Sequence, residues 1–111
     1  MPQSFGKALR LRSRREFQSI QRRGHRRHSP HFIVISIDRS SATAPRLGIT
    51  VSRAVGNSVV RNRVKRRVRE LFRVVRPRLS TTLDFVVIAK PGAGELTSAA
   101  SVAELSAAFG L

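Results

Sequence analysis

The sequence contains no cysteine, which excludes a disulfide framework, a thiolate zinc site and a cysteine nucleophile together. Acidic side chains are scarce as well: 6 Asp and Glu stand against 22 Lys and Arg in 111 residues, for a formal net charge of +16. A metal-dependent nuclease gathers carboxylates around one or two divalent ions, and these are scattered. Glu16 and Glu104 follow Ser13 and Ser101 at capping-box spacing, Glu70 lies among arginines as an ion-pair partner, and Asp38, Asp84 and Glu95 fall near strand ends. No catalytic residue and no protein-held metal or cofactor are expected. No apolar run reaches the roughly 18 residues that a bilayer crossing needs, and the opening MPQSFGKALRLRSRR lacks the hydrophobic segment of a secretory signal. No membrane partner is expected, and a reducing cytoplasm is the expected location. The opening is Arg-rich and acid-free, as transit peptides are, yet its basic character continues through Arg76 with no break to cleave at.

Lysine is also rare. Lys7, Lys65 and Lys90 are the only three, so the positive charge sits on planar guanidinium forks that match phosphate oxygens and stack on bases. Such an excess points to a polyanion, nucleic acid first. His25, His28 and His31 recur every third residue, but Pro30 bars a helix there and no acid completes a zinc set. They are expected in a basic, phosphate-facing turn.

The length fits one domain, 1–111, with residues 1–9 and 110–111 expected to lack order. The capping-box pattern at Ser13 to Glu16 predicts a helix over residues 14–23, with Phe17 and Ile20 on one face and Gly24 as its stop. HFIVISID and RLGITVS read as strands joined through SSATAP. Val60, Val64, Val68, Leu71, Phe72 and Val75 recur at helical spacing, which predicts a helix over residues 58–76, capped by Asn57 or Ser58 and stopped by Pro77. LDFVVIAK is a further strand. Ser101 with Glu104 sets up a last helix whose apolar side holds Val102, Leu105 and Phe109. The first two strands can pair antiparallel, and the strands flanking the central helix can lie parallel. The class is α+β, helices packed on a small sheet in a two-layer sandwich.

On a wheel of ~100° per residue, Asn62, Lys65, Arg66, Arg69, Arg73 and Arg76 fall opposite the apolar stripe of the central helix, and Arg61, Arg63 and Arg67 flank it. One acid, Glu70, interrupts the basic arc, so the face repels itself until a polyanion neutralises it.

The run RLGITVSRAVGNSVVRNRVKRRVRELFR, residues 46–73, resembles the signature of the bacterial ribonuclease P protein component. A GN turn leads into the triplet Arg61, Asn62, Arg63 and then KRRVRE, behind an RLGI strand. RLRSRREFQ, the basic stretch ending at Gly24, the strand with Phe32, and DFVVIAKP extend the likeness over most of residues 10–91. The resemblance implies an RNA-binding subunit of an endoribonuclease, a hydrolase in tRNA processing: it joins a catalytic RNA that removes the 5′ leader of precursor tRNA. The RNA does the chemistry and requires Mg²⁺. Both RNAs are implied partners, with no obligate protein partner. It implies catalytic-RNA contact by Asn57, Arg61, Asn62, Arg63, Lys65, Arg66 and Arg69, with Gly56 shaping the helix entrance. It implies a leader cleft between the first helix and the sheet, lined by Phe17, Phe32, Ser52, Arg53 and Lys90. Core packing accounts for Phe17 and Phe32 equally well. Gln21 and Ile35 stand where relatives often carry aromatics, and Ala54 where a second basic residue is common, so weaker stacking is expected. The resemblance further implies a mixed four-stranded sheet, order αββ(β)αβα, with a left-handed crossover around the basic helix. The fourth strand is not evident in the sequence. A ribosomal or rRNA-folding protein shares the charge and class, and a DNA-binding module that lays the helix in a major groove is not excluded by charge, since Arg also reads guanine.

Overall fold

A computed structural model describes residues 14–39, 44–80 and 82–111. Ser13, residues 1–9 and most of the SSATAP connection lie outside them. In chain order the elements are α1 (Arg14–Arg23), β1 (His25–His28), β2 (Phe32–Asp38), β3 (Arg46–Val51), α2 (Ser58–Val75), β4 (Leu83–Ala89) and α3 (Ser98–Ala108), with 3₁₀ turns at Arg76–Arg78 and Ala93–Glu95. The α+β class and the mixed four-stranded sheet are as expected. The missing strand is β1, HRRH, so the basic stretch read as a turn is largely extended. The turn itself is tight: Ser29 N donates to Phe32 O at 2.8 Å, and Phe32 N returns to Ser29 Oγ at 3.2 Å.

The sheet order is β1-β2-β4-β3. β2 and β3 do not pair as expected; β4 lies between them, antiparallel to β2 and parallel to β3. The reason is burial. Phe85, Val86 and Val87 are all buried, so β4 is covered on both faces, and such a strand belongs in the middle of a sheet.

Alternation splits the side chains into two apolar groups. Phe32, Val34, Leu47, Val51, Phe85, Val87 and Ala89 pack with Val64, Val68, Leu71, Phe72 and Val75 of α2 and with Leu105, Ala108 and Phe109. Phe85 and Phe109 meet edge-on at 5.2 Å between ring centroids, a favoured aromatic geometry. On the other face Ile35 and Val86 pack with Ile20, with Phe17, Ile33, Ile37 and Ile88 around them. Helices therefore cover both faces, α1 on one and α2 with α3 on the other, which adds a partial third layer to the expected two.

Local rules account for the helix ends. Asn57 Oδ1 accepts from Val60 N at 3.0 Å and caps α2. α1 ends at Arg23, and the next position admits only glycine, since a Cβ on Gly24 would stand 2.4 Å from Ile35 Cγ2 and 2.6 Å from Ile20 O. α2 stops at Val75, one residue short of expectation, since Pro77 draws Arg76 into the 3₁₀ turn. Arg76 leaves the exposed arc, and its Nη1 is buried. α3 starts earlier than its sequence pattern implied: Thr97 is the cap, its side chain accepting from Ala100 N at 3.0 Å. Ser101 is buried within the helix, and Val102 is 47% exposed instead of joining the core. Gly110 N and Leu111 N donate to Ala107 O and Ser106 O, so these two residues extend α3's hydrogen bonding.

Candidate nucleic-acid interface

α2 presents a basic outer line because its apolar stripe is anchored on the sheet. Ser58, Val59, Asn62, Arg66 and Glu70 are exposed along it, with Lys65, Arg69 and Arg73 half-buried beside them. The flanking arginines are engaged by the scaffold. Arg61 Nε donates to Gly56 O at 3.2 Å, Arg63 Nη2 to Gly94 O at 2.9 Å, and Arg67 Nη1 to Leu96 O at 2.6 Å. Arg63 is thus turned toward the segment after β4, away from the outer line on which Asn62 and Arg66 stand. The approach to α2 is stepped by two turns, Val55 N to Ser52 O at 3.0 Å and Gly56 N to Arg53 O at 3.2 Å. Gly56 is required there: its φ is 157°, and a Cβ would meet Val60 Cγ1 at 2.8 Å.

On the α1 face, the Phe17 ring lies directly over Gly48, where an added Cβ would stand 2.5 Å from Phe17 Cζ. α1 covers the row Ile35, Val86 and Gly48. The next row across the strands, His28, Ile33, Ile88 and Thr50, is set by register, and its members are exposed or half-buried. This row forms an apolar floor with polar ends. Ser52 and Arg53 are exposed at the end of β3. Lys90 closes the other end, its Nζ donating to Ser29 O at 2.7 Å. Phe32 does not belong to this surface. It is 1% exposed and points to the α2 and α3 side, since it alternates with Ile33, so core packing is its role. Ile33, Ile88 and Thr50 escaped sequence reading because they look like ordinary strand residues; only the pairing register reveals them as a row.

Two carboxylate networks also went unread. Asp84, 1% exposed, accepts from Arg46 Nε at 3.2 Å, Arg46 Nη2 at 2.8 Å and Arg39 Nη1 at 3.2 Å. Arg46 Nη2 also reaches Glu16 Oε2 at 2.8 Å, tying α1 to the sheet. The hydrogen bond that Arg46 donates to Asp84 raises its pKa against its burial, with Glu16 adding to the rise. Glu104 is the second hub. It accepts from Ser29 Oγ and His31 N, both at 2.6 Å, and its Oε1 lies 2.9 Å from His31 Nδ1. These contacts join α3 to the β1–β2 turn and take the place of the expected capping role.

Burial pushes the Glu104 carboxyl up, but the hydrogen bonds from Ser29 and His31 outweigh it and hold the pKa below the ordinary value. A lowered folded pKa means stability that is complete above the unfolded carboxylate pKa of ~4.3 and is lost as pH falls through the folded value. Glu104→Gln should therefore flatten the acid limb of the stability curve, as urea melts between roughly pH 3 and 6 will read. An unchanged acid limb would mean that the hub does not titrate on unfolding.

Among the described residues, no three His, Asp or Glu side chains come together to hold a metal ion, and no helix is long and apolar enough to cross a membrane.

Known proteins share this arrangement. The family model described as Ribonuclease P matches residues 5–110. The ribonuclease P protein component of Desulfovibrio desulfuricans is 47% identical over 88 residues, covering 78% of this chain and 68% of that protein. The one from Geobacter sp. is 41% identical over 107 residues, covering 96% and 90%. In structure, the RNase P protein of Staphylococcus aureus is similar with a TM-score of 0.87 at 33% identity, over 94% of each chain. That of Thermotoga maritima gives 0.80 at 30% identity, over 92% of this chain and 96% of its own.

Proposed function

Because the chain belongs to the ribonuclease P protein family, we propose that it binds the catalytic RNA of ribonuclease P along α2 and the 5′ leader of precursor tRNA on the open part of the α1 face. The RNA then carries out the phosphodiester hydrolysis with Mg²⁺, and the protein acts by positioning, in the cytoplasm. On α2, Asn57, Asn62, Lys65, Arg66 and Arg69 meet the RNA backbone, with Arg61 and Arg63 contributing the guanidinium donors that their scaffold bonds leave over. On the other surface a single strand lies over Ile33 and Ile88, with Phe17 beside them and Arg53, Ser52 and Lys90 at the ends. Among the described residues Phe17 is the one phenylalanine at that surface, so charge contributes more than stacking.

The observation that carries this reading is the exposed line of Asn62 and Arg66 on a helix whose other side is fixed in the core. Apart from Glu70 the charge of this helix is positive, and phosphate is its natural counter-ion.

The test is reconstitution. The protein alone should leave precursor tRNA intact, and adding it to its matching catalytic RNA should speed 5′ cleavage at low magnesium. If it neutralises about six to ten phosphates, affinity should fall ~10³ to 10⁵-fold between 50 and 200 mM salt. Cleavage by the protein without RNA would overturn the assignment, and a flat salt response would overturn its electrostatic basis. Equal affinity of the assembled enzyme for precursor and mature tRNA would remove the leader surface.

A further inference from the structure

One strongly basic surface adjoins the leader floor at His28 and carries four arginines that neither RNA contact described above uses. Residues 21–28, QRRGHRRH, carry Arg22, Arg23, Arg26 and Arg27 with two histidines and no acid. The fold sets the last turn of α1 beside the edge strand β1. All four β1 residues are exposed, and so are Arg22 and Arg23. Among the described residues, none of these four arginines pairs with a carboxylate. Arg26 Nη2 donates to Gln21 O at 2.7 Å, which fixes its fork at the C-terminal end of α1, where a cation is favoured. Register sends Arg26 and His28 to the α1 face and His25 and Arg27 to the opposite face, so the charge wraps around the sheet edge. A concavity of about 470 Å³ beside it is lined by Gln18, Gln21, Arg22 and Arg26, with no acid.

Charged side chains guard an edge strand against pairing with another sheet, and part of this charge serves that purpose. Four uncompensated arginines repel one another and have the electrostatic footprint of a polyanion site. This surface is also separate from the outer line of α2. β1 and β3 are opposite edges of the sheet, three strand spacings or roughly 14 Å apart. α2 packs on β3 and α3 on β2, so α3 stands between α2 and β1. Its sequence, SAASVAELSAA, contains no Lys or Arg. A helix without positive charge divides the two basic surfaces.

We infer that β1 and the last turn of α1 form a second RNA-backbone surface, which grips a segment of structured RNA other than the one on α2, so that one protein molecule holds two segments together. The inference rests on the RNA-binding reading of the preceding subsection. The guanidinium forks take phosphate oxygens, and the Gln18 and Gln21 amides, which both donate and accept, suit the ribose 2′-hydroxyl beside them.

The absence of cysteine permits a direct test on the full chain bound to the catalytic RNA. A single cysteine introduced as Arg27→Cys, or as Val59→Cys on α2 in a second variant, carries a radical-generating iron chelate. The two probes should cut different nucleotides. The pair Arg23→Glu and Arg27→Glu should weaken RNA binding about 10²- to 10⁴-fold. It should also lower the slope of log affinity against log salt by roughly 1.4 to 1.8, near 0.7 to 0.9 per lost phosphate contact, with the Val59→Cys cuts unmoved. Arg23→Gln with Arg27→Gln, which introduces no repulsion, should show the same change at smaller size, and thermal melts should match the parent. The inference is overturned if both probes cut the same nucleotides, or if the charge reversal leaves affinity and slope intact. Self-association of that variant with unchanged RNA affinity would also overturn it, leaving the arginines as edge guards. Loss of binding on altering α2 in the same assay tests the preceding reading separately.

Discussion

Arg66→Glu combined with Arg69→Glu is expected to weaken binding of the catalytic RNA by about 10² to 10⁴-fold. Hydrogen bonds to charged groups contribute roughly 1.5–3 kcal/mol each, and every ~1.4 kcal/mol is tenfold in affinity. Two lost contacts then give this range before the repulsion from two new carboxylates is counted. Arg66 is exposed on α2 and Arg69 is half-buried beside it, whereas the α2 residues that fasten it to the sheet are Val64, Val68, Leu71, Phe72 and Val75. Helicity by circular dichroism should therefore stay near the parent value while filter binding and leader removal collapse. Untouched assembly and cleavage in this variant would remove α2 from the mechanism.

The second large effect is on stability. Asp84→Ala should cost about 3–5 kcal/mol, the usual penalty for removing one partner of a buried ion pair. Asp84 is nearly fully buried, and two arginines converge on it from β3 and from the residue after β2. Deleting the carboxylate strands the Arg46 guanidinium with Glu16 alone. Small domains have a total stability of roughly 5–15 kcal/mol, and each kcal/mol moves the melting temperature of a 100-residue chain by about 4–8 °C. The melting temperature should thus fall by tens of degrees, and Asp84→Asn, which keeps an acceptor, should fall less. A loss below ~1 kcal/mol in urea titration would show that the pair does not hold the sheet.

Much of this architecture was legible in the residues, and the misses have physical causes. The limits of α1 follow from spacing and from Gly24, and the basic arc of α2 follows from a regular apolar stripe. β1 carried no hydrophobic signal because all four of its residues face solvent; it exists through backbone pairing with β2. The position of β4 is available in the unbroken run FVVIA, which marks a strand buried on both faces, whereas chain order alone points to pairing between successive strands. Ser101 and Glu104 fit a local capping rule, yet Glu104 finds better partners at Ser29 and His31, far away in sequence. For the interface, α2 was readable because one helix carries its whole pattern. The leader surface was not, because its floor is assembled from three strands and α1, and Phe32 falls on the wrong side of a two-residue alternation.

The central place of β4 sets an order on how the chain can mature. β2 and β3 touch each other nowhere in the sheet, and β3 joins it only through the strand that spans Leu83–Ala89. On a ribosome, where the N-terminal part emerges first, β3 must wait for residues beyond α2 before it has anything to pair with. The arginine-bearing helix thus reaches the cell ahead of the strand that will moor it, and a nascent chain stalled before Leu83 has charge enough to seize RNA while its β-sheet remains unclosed.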